Sequence, residues 1–490
     1  MTDSNRIQLA AVRETTIGTT PDTPRMRKMR FTGESLAFRP DFIQSNEIRD
    51  DRMSADPIKV GESNAGGINF EWHYPKDESI LSEAICSAFM ADWTKSPQRD
   101  NDGTADAVIT GVAATSDTYT VTTGAAFVEG HLVRATGFTN SGNNQIFRAQ
   151  SGSGATSVIA PSSPGLTDED APPAAARLKA VGFQGASGDI TATASGLVST
   201  SLDFTTLGLA AGMWLKIGGS AAADKFATAA NNDWVRVTAV DDTALTCDNL
   251  PSGWTADDGT GKTLKVWFGD YIKNGTTKVG LSIERGFMGQ GTPTYVLQKG
   301  MVVNSMTVTI PKKQVTTGSF DFMGMAGSQG TTSVDSSPDA APALADYPVV
   351  AGSANVGRVA ENGATLASPN WADSVTYTLN NNLRAIEAVD SIAPVAHGVG
   401  ECSVTVELNT YFGSNTLYAK LLSGTATNVN SRVVKNSQAM IWACPRLTAT
   451  EGNPNAQGKN QDVMLPLRLS ASYDSTTAAH IILNRLEYYE

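Results

Sequence analysis

A mostly-β fold is predicted by three features of the sequence. Turn-forming residues recur about every ten residues, short runs alternate apolar and polar side chains at period two, and Gly, Ser, Thr, Asn and Ala dominate outside those runs. The chain has 490 residues, which at roughly 100–200 residues per domain suggests about three or four folded units. With 37 Lys and Arg against 49 Asp and Glu, the formal net charge is −12. That balance argues against a nucleic-acid-binding surface, which clusters cations to neutralise phosphates. The N-terminus lacks a basic stretch followed by an apolar run, and no run of about 18 apolar residues occurs, so a soluble chain made in a cytoplasm is expected. Cys86, Cys247, Cys402 and Cys444 lie apart inside apolar runs and are expected to be reduced core residues.

Taken in chain order, residues 1–27 read as a polar N-terminal arm, followed by a strand-like run at 29–38 and a long charged loop at 45–57. Ile68, Phe70, Trp72 and Tyr74 then alternate with polar residues, the pattern of a half-buried strand. Asp77 or Ser79 can cap a helix whose apolar positions Ile80, Leu81, Ala84, Ile85, Ala88 and Phe89 fall on one face.

From about residue 106 the composition shifts to Ala, Thr, Gly and Ser, and an internal repeat emerges. Asn143-Asn144-Gln145-Ile146-Phe147-Arg148 aligns with Asn231-Asn232-Asp233-Trp234-Val235-Arg236, and Arg177-Leu178-Lys179 aligns with Thr263-Leu264-Lys265. Two small β modules, 106–185 and 186–273, are therefore expected in tandem. A second repeat brackets them: an offset of 336 carries Glu71 to Glu407, Trp72 to Leu408, Leu81 to Leu417 and Ile85 to Leu421. The outer portions thus predict one domain from 28–105 joined to 274–325, and a second at 371–490. The Ser-, Ala- and Pro-rich stretch 326–370 reads as a linker or arm.

Motifs of chemistry are sparse. Residues 257–263 end like a phosphate loop, but Ala256 stands where the first Gly is needed and a strand follows. Asp100-Asn101-Asp102-Gly103 lacks the rest of a calcium loop. The four His are dispersed, and there is no nucleophile elbow or metal-ligand cluster, so no catalytic, cofactor or metal residues are nominated and a non-enzymatic role is expected.

The chain resembles the major tail tube proteins of long-tailed bacteriophages. The resemblance rests on Gly33-Glu34-Ser35-Leu36, on Ser45-Asn46-Glu47-Ile48-Arg49-Asp50-Asp51-Arg52, and on Gly66-Gly67-Ile68-Asn69-Phe70-Glu71-Trp72, and at the other end on the runs 462–474 and 481–488. It implies two tandem tube-like β-sandwich or barrel domains, each with one flanking helix, and two inserted β modules of the immunoglobulin-like kind such proteins carry. It further implies a structural virion protein without cofactor, whose rings stack into a tail tube assembled in the host cytoplasm. DNA passes through that tube without specific binding during genome ejection. The implied partners are other copies of itself and the tail terminator, tape measure and tail-tip proteins, with no membrane. The internal repeat points to trimeric rings of pseudo-sixfold symmetry, with hexamers as the alternative.

On this reading the strand faces bearing Asn69, Glu71, His73 and Thr405, Glu407, Asn409 line the channel, where carboxylates repel phosphates. Asn46, Glu47, Arg49, Asp50, Asp51 and Arg52 form a loop that orders on ring stacking, together with the N-terminal arm and 326–370. Competing roles are a capsid decoration or tail-tip protein, or host-glycan binding through Trp214 and Trp234, which at strand positions more often serve the core.

Overall fold

The computed structural model describes residues 3–103, 107–162, 165–456 and 458–490. Eight strands organise the body: β1 (Gly33–Glu34), β2 (Ile58–Glu71), β3 (Thr294–Pro311), β4 (Thr317–Met323), β5 (Ala372–Asn380), β6 (Ser403–Tyr411), β7 (Gln438–Gly452) and β8 (Met464–Ala471). Their antiparallel pairings run β1·β2·β4·β3 and then β5·β6·β8·β7. The second set repeats the connectivity of the first. β3 and β5 pair directly from Ser305↔Asn380 to Pro311↔Ser374, so the two sets form one continuous sheet.

The sheet's inner side is a single core shared by both halves. Phe70 stacks on Phe320 with centroids 4.9 Å apart, Trp72 meets Trp442 edge-on at 5.1 Å, and Tyr377 stacks on Trp442 at 5.9 Å. Gly318 leaves room for this packing, because a Cβ there would lie 2.4 Å from the Phe70 ring. The Ile80–Phe89 helix covers the core with nine of its ten residues buried, and Ser79 is its cap, accepting from the Ser82 amide. Its counterpart Thr416–Ser423 buries only Leu417.

Two expected arms are built into this body. Within 1–27, strand Ile7–Arg13 pairs with Leu281–Phe287 at seven positions and buries Leu9, Ala10 and Ala11. Leu9, Ala10 and Ala11 are buried in succession, so the strand shows no period-two alternation in the sequence. Within 326–370, strand Ala326–Gly330 pairs with β3, Val356–Glu361 pairs with Thr427–Lys435, and Val350 exchanges backbone hydrogen bonds with Trp72 and Thr316. Low apolar content there reflects edge strands whose backbone, rather than side chains, supplies the attachment.

The inserted region carries a ten-stranded sheet and a three-stranded sheet. The expected boundary between 105 and 106 falls outside the described residues, but Gln98–Asp100 already pairs with Arg177–Gln184, and Asp270–Lys273 is back in the body against Ile482–Leu486. One hydrogen-bonded knot occurs twice. Asn143 exchanges bonds with the Thr167 backbone while Asn144 does so with Phe138; Asn231 does the same with Thr255, and Asn232 with Phe226.

The modules are seated firmly. Leu132, Val181, Trp214, Trp234 and Trp267 meet Ala439, Ile441 and Leu486 of the body. Beside them lies a buried ionic network: Asp270 Oδ2 accepts from Lys179 at 2.7 Å and from Arg485 at 2.9 Å, and Arg485 also reaches Asp77 at 3.1 Å.

Candidate assembly surfaces

The outward face of the eight-stranded sheet is polar, because alternation sends every second side chain away from the core. At the central joint the hydroxyls of Thr307 and Thr378 lie 3.4 Å apart and those of Thr309 and Thr376 3.2 Å. Asn69 and Glu71 are exposed on this face, Glu407 likewise, and Thr405 and Asn409 are half-buried on it. His73 is not part of it. β2 ends at Glu71, and His73 is buried with Nδ1 3.0 Å from the Glu71 carbonyl; burial pushes its pKa down to about 4, so it is neutral at pH 7.

Glu71 and Glu407 occupy matching strand positions in unlike surroundings. Glu71 faces Thr317 across β4, whereas Glu407 faces Arg468 across β8, and Arg468 also stands 3.9 Å from Glu451. Asp321, exposed on β4, adds a carboxylate on the first half. Arg446, exposed on β7, adds a second guanidinium, so Glu71, Asp321, Glu407 and Glu451 share the face with Arg446 and Arg468.

The sheet ends in two unpaired edges. Among the described residues, β7 beyond Leu447 pairs only with β8, and β1 pairs only with β2. By the repeat, these edges correspond to the β3 and β5 edges that meet within the chain.

The loop candidates Asn46, Glu47, Arg49, Asp50, Asp51 and Arg52 all lie exposed at the tip of a hairpin formed by Ala37–Ile43 and β2. Arg49 and Asp51 bind each other. Polar side chains are only part of this surface: Phe42, Ile43, Ile48, Met53, Ile58 and Val60 are exposed as well. A second hairpin, Arg384–Ile386 with Ala396–Gly398, exposes Ile386, Val389, Ile392 and Val395, and the Ile392 carbonyl accepts from the Glu62 amide at 2.9 Å. The sequence reading missed this hairpin. Carrying the 336-residue offset back from Glu401 would have placed 381–400 opposite the first loop.

Trp214 and Trp234 are buried at the module–body contact and offer no face for a sugar ring. Cys86, Cys247 and Cys444 are buried free thiols, and Cys402 is partly exposed. No group of His, Cys, Asp and Glu among the described residues could hold a metal ion, and none of their helices is long and apolar enough to cross a membrane.

Comparison with curated proteins gives no match. The family model for phage tail tube protein matches residues 4–247 and again residues 216–474. Two matches to one family accord with the repeated strand connectivity, and between them they span most of the chain: it belongs to the phage tail tube protein family and is a structural protein of the virion tail.

Proposed function

We propose that the chain is the repeating subunit of the tail tube, closing into rings of three whose polar sheet faces line a channel for DNA. The β3·β5 joint carries this reading, because it is an edge-to-edge union of two like halves inside one chain. The free β7 edge of one copy and the free edge at 31–35 of the next are the repeat-related counterparts of that joint. Joining them would give every half the same neighbours and leave no sheet edge exposed. Three copies supply six tube-like halves.

In this arrangement Glu71, Asp321, Glu407 and Glu451 present four carboxylates to the channel against the guanidiniums of Arg446 and Arg468, and the excess of negative charge keeps passing phosphates from adhering. The paired hairpins bearing Ile48, Met53 and Val389 supply apolar surface for the next ring, since contiguous exposed apolar patches mark association sites. Terminator, tape measure and tip proteins would meet the tube's ends and lumen.

Electron microscopy of the purified protein, with rotational averaging of end-on views, tests the proposal. Uniform hollow tubes with three chains per ring are expected. Rings of six full chains would overturn the trimer, and a protein that forms no tube under any condition supporting assembly of its tail would overturn the role.

A further inference from the structure

The second module and the second half of the body enclose a cleft of ≈ 930 Å³. Arg358 and Arg432 line it, directly opposite each other on antiparallel strands Val356–Glu361 and Thr427–Lys435. Like charges in that register repel, and withdrawal from water adds to the penalty. Arg358 is only 9% exposed. Neither guanidinium is fully used: the Nε atoms of both are buried without a hydrogen-bond partner. Arg358 Nη2 donates to the Gly363 carbonyl, and Arg432 Nη2 reaches that of Gly357 at 3.5 Å.

Countercharge is short. Among the described residues, Asp233 is the carboxylate in ion-pair range of Arg432, at 3.8 Å, and its side chain is 48% exposed. Lys216 adds a third cation on the same side, its Nζ bound to the carbonyls of Ile217 and Asn232. Burial pushes Lys216 down to about 8, against the pull of Asp233, and burial together with neighbouring Arg358 lowers Arg432 to about 10, again against Asp233.

The geometry around the pair is fixed. Arg432 lies 4.9 Å over the Trp234 ring, and Gly357 permits this, since a Cβ there would stand 3.0 Å from Arg432 Nε. Asn362 and Gly363, both at positive φ, close the hairpin that holds Arg358 in the tight turn which matches strand twist. Ser252, Asn362 and Thr365 add polar groups to the lining.

We propose that this cleft is an oxyanion site, in which Arg358 and Arg432 together hold one phosphate, sulfate or carboxylate group. Planar guanidinium forks match such groups, and an oxyanion bound by the Nη donors would cancel the repulsion. The oxyanion is either a free ion or an acidic side chain of a neighbouring copy in the assembled tube. The inference does not depend on ring symmetry.

The test titrates the soluble full-length subunit with inorganic phosphate at constant ionic strength, by calorimetry and thermal melting. Saturable one-to-one binding and a rise of several degrees in Tm are expected. Arg358→Gln and Arg432→Gln should abolish both effects. Asp233→Asn, a change at a half-exposed side chain that removes the competing carboxylate, should tighten binding at least threefold, and it keeps the test decisive where an arginine variant does not fold. Repeating the titration on assembled tubes separates the sources: retained binding identifies a free ion, and lost binding identifies a carboxylate from the next copy. Absence of saturable binding to the subunit, or an unchanged affinity in Asp233→Asn, would overturn the site.

Discussion

Replacing Ala449 with proline probes ring closure at a single atom. The Ser472 amide donates to the Arg446 carbonyl at 3.1 Å, so strand alternation aims the backbone of Thr448 at β8 and that of Ala449 away from it. Ala449→Pro therefore removes one N–H from the free edge and leaves the β7·β8 ladder intact. One lost hydrogen bond is worth about 1 kcal/mol net, or about fivefold in an equilibrium constant per joint. Three joints compound this to on the order of a hundredfold in the equilibrium constant of a ring, which is about fivefold in free-subunit concentration because each ring consumes three chains, and each partner carbonyl left buried adds to it. The matching change at the internal joint, Val308→Pro, strikes a residue paired with Tyr377 in a closed sheet and should prevent folding. Circular dichroism would show Ala449→Pro folded, with a Tm lowered by crowding at a position that is only 7% exposed, while light scattering would show its critical concentration for tube growth raised about fivefold. A folded Ala449→Pro subunit that builds tubes at the wild-type concentration would falsify the edge assignment.

Four further outcomes are expected. Glu71→Lys combined with Glu407→Lys should leave tubes intact but slow DNA release in an ejection assay; unchanged release would remove these residues from the channel wall. Deleting residues 46–56, or introducing Ile48→Asp with Val389→Asp, should give folded subunits that fail to stack, and tubes of normal length from either variant would exclude the hairpins. Trp442→Ala empties the centre of the shared core and should destabilise the subunit by about 3–5 kcal/mol in urea unfolding. In acid the ionic network should fail: burial alone would raise Asp270, yet Lys179 and Arg485 outweigh it and hold its pKa below the usual carboxylate range, and Arg177 does the same for Glu487. Groups depressed in the folded state stabilise it above their unfolded value, near 4, and that stabilisation is lost as pH falls through their folded values. The urea midpoint should accordingly fall below about pH 4, and Asp270→Asn should be less stable at pH 7 with a flatter acid limb.

Much of the body was legible because period-two alternation and the helix cap are local signals. Ile68, Phe70 and Trp72 are buried where the pattern puts them, and so are Val404, Val406 and Leu408. The continuation of that pattern to His73 failed because the strand ends at Glu71 and the chain turns into the core. Edge strands were the other blind spot. Ile7–Arg13 and Val356–Glu361 are attached through backbone pairing to residues hundreds or tens of positions away, and no local composition announces such a partner. The Arg358 and Arg432 pair lies beyond sequence reasoning for the same reason: 74 positions separate them, and only the register between two distant strands makes them neighbours.

The covalent link across the β3·β5 joint also bears on assembly kinetics. In a ring of three, half of the six unions between tube-like units are made during folding, at an effective concentration set by the connecting chain rather than by the cell. Only three independent bodies must then meet, so ring yield depends less steeply on subunit supply than it would for six separate units. In such a ring the same link would let one half carry the inserted modules while the other does not, spacing three decorations around a bore of near-sixfold symmetry.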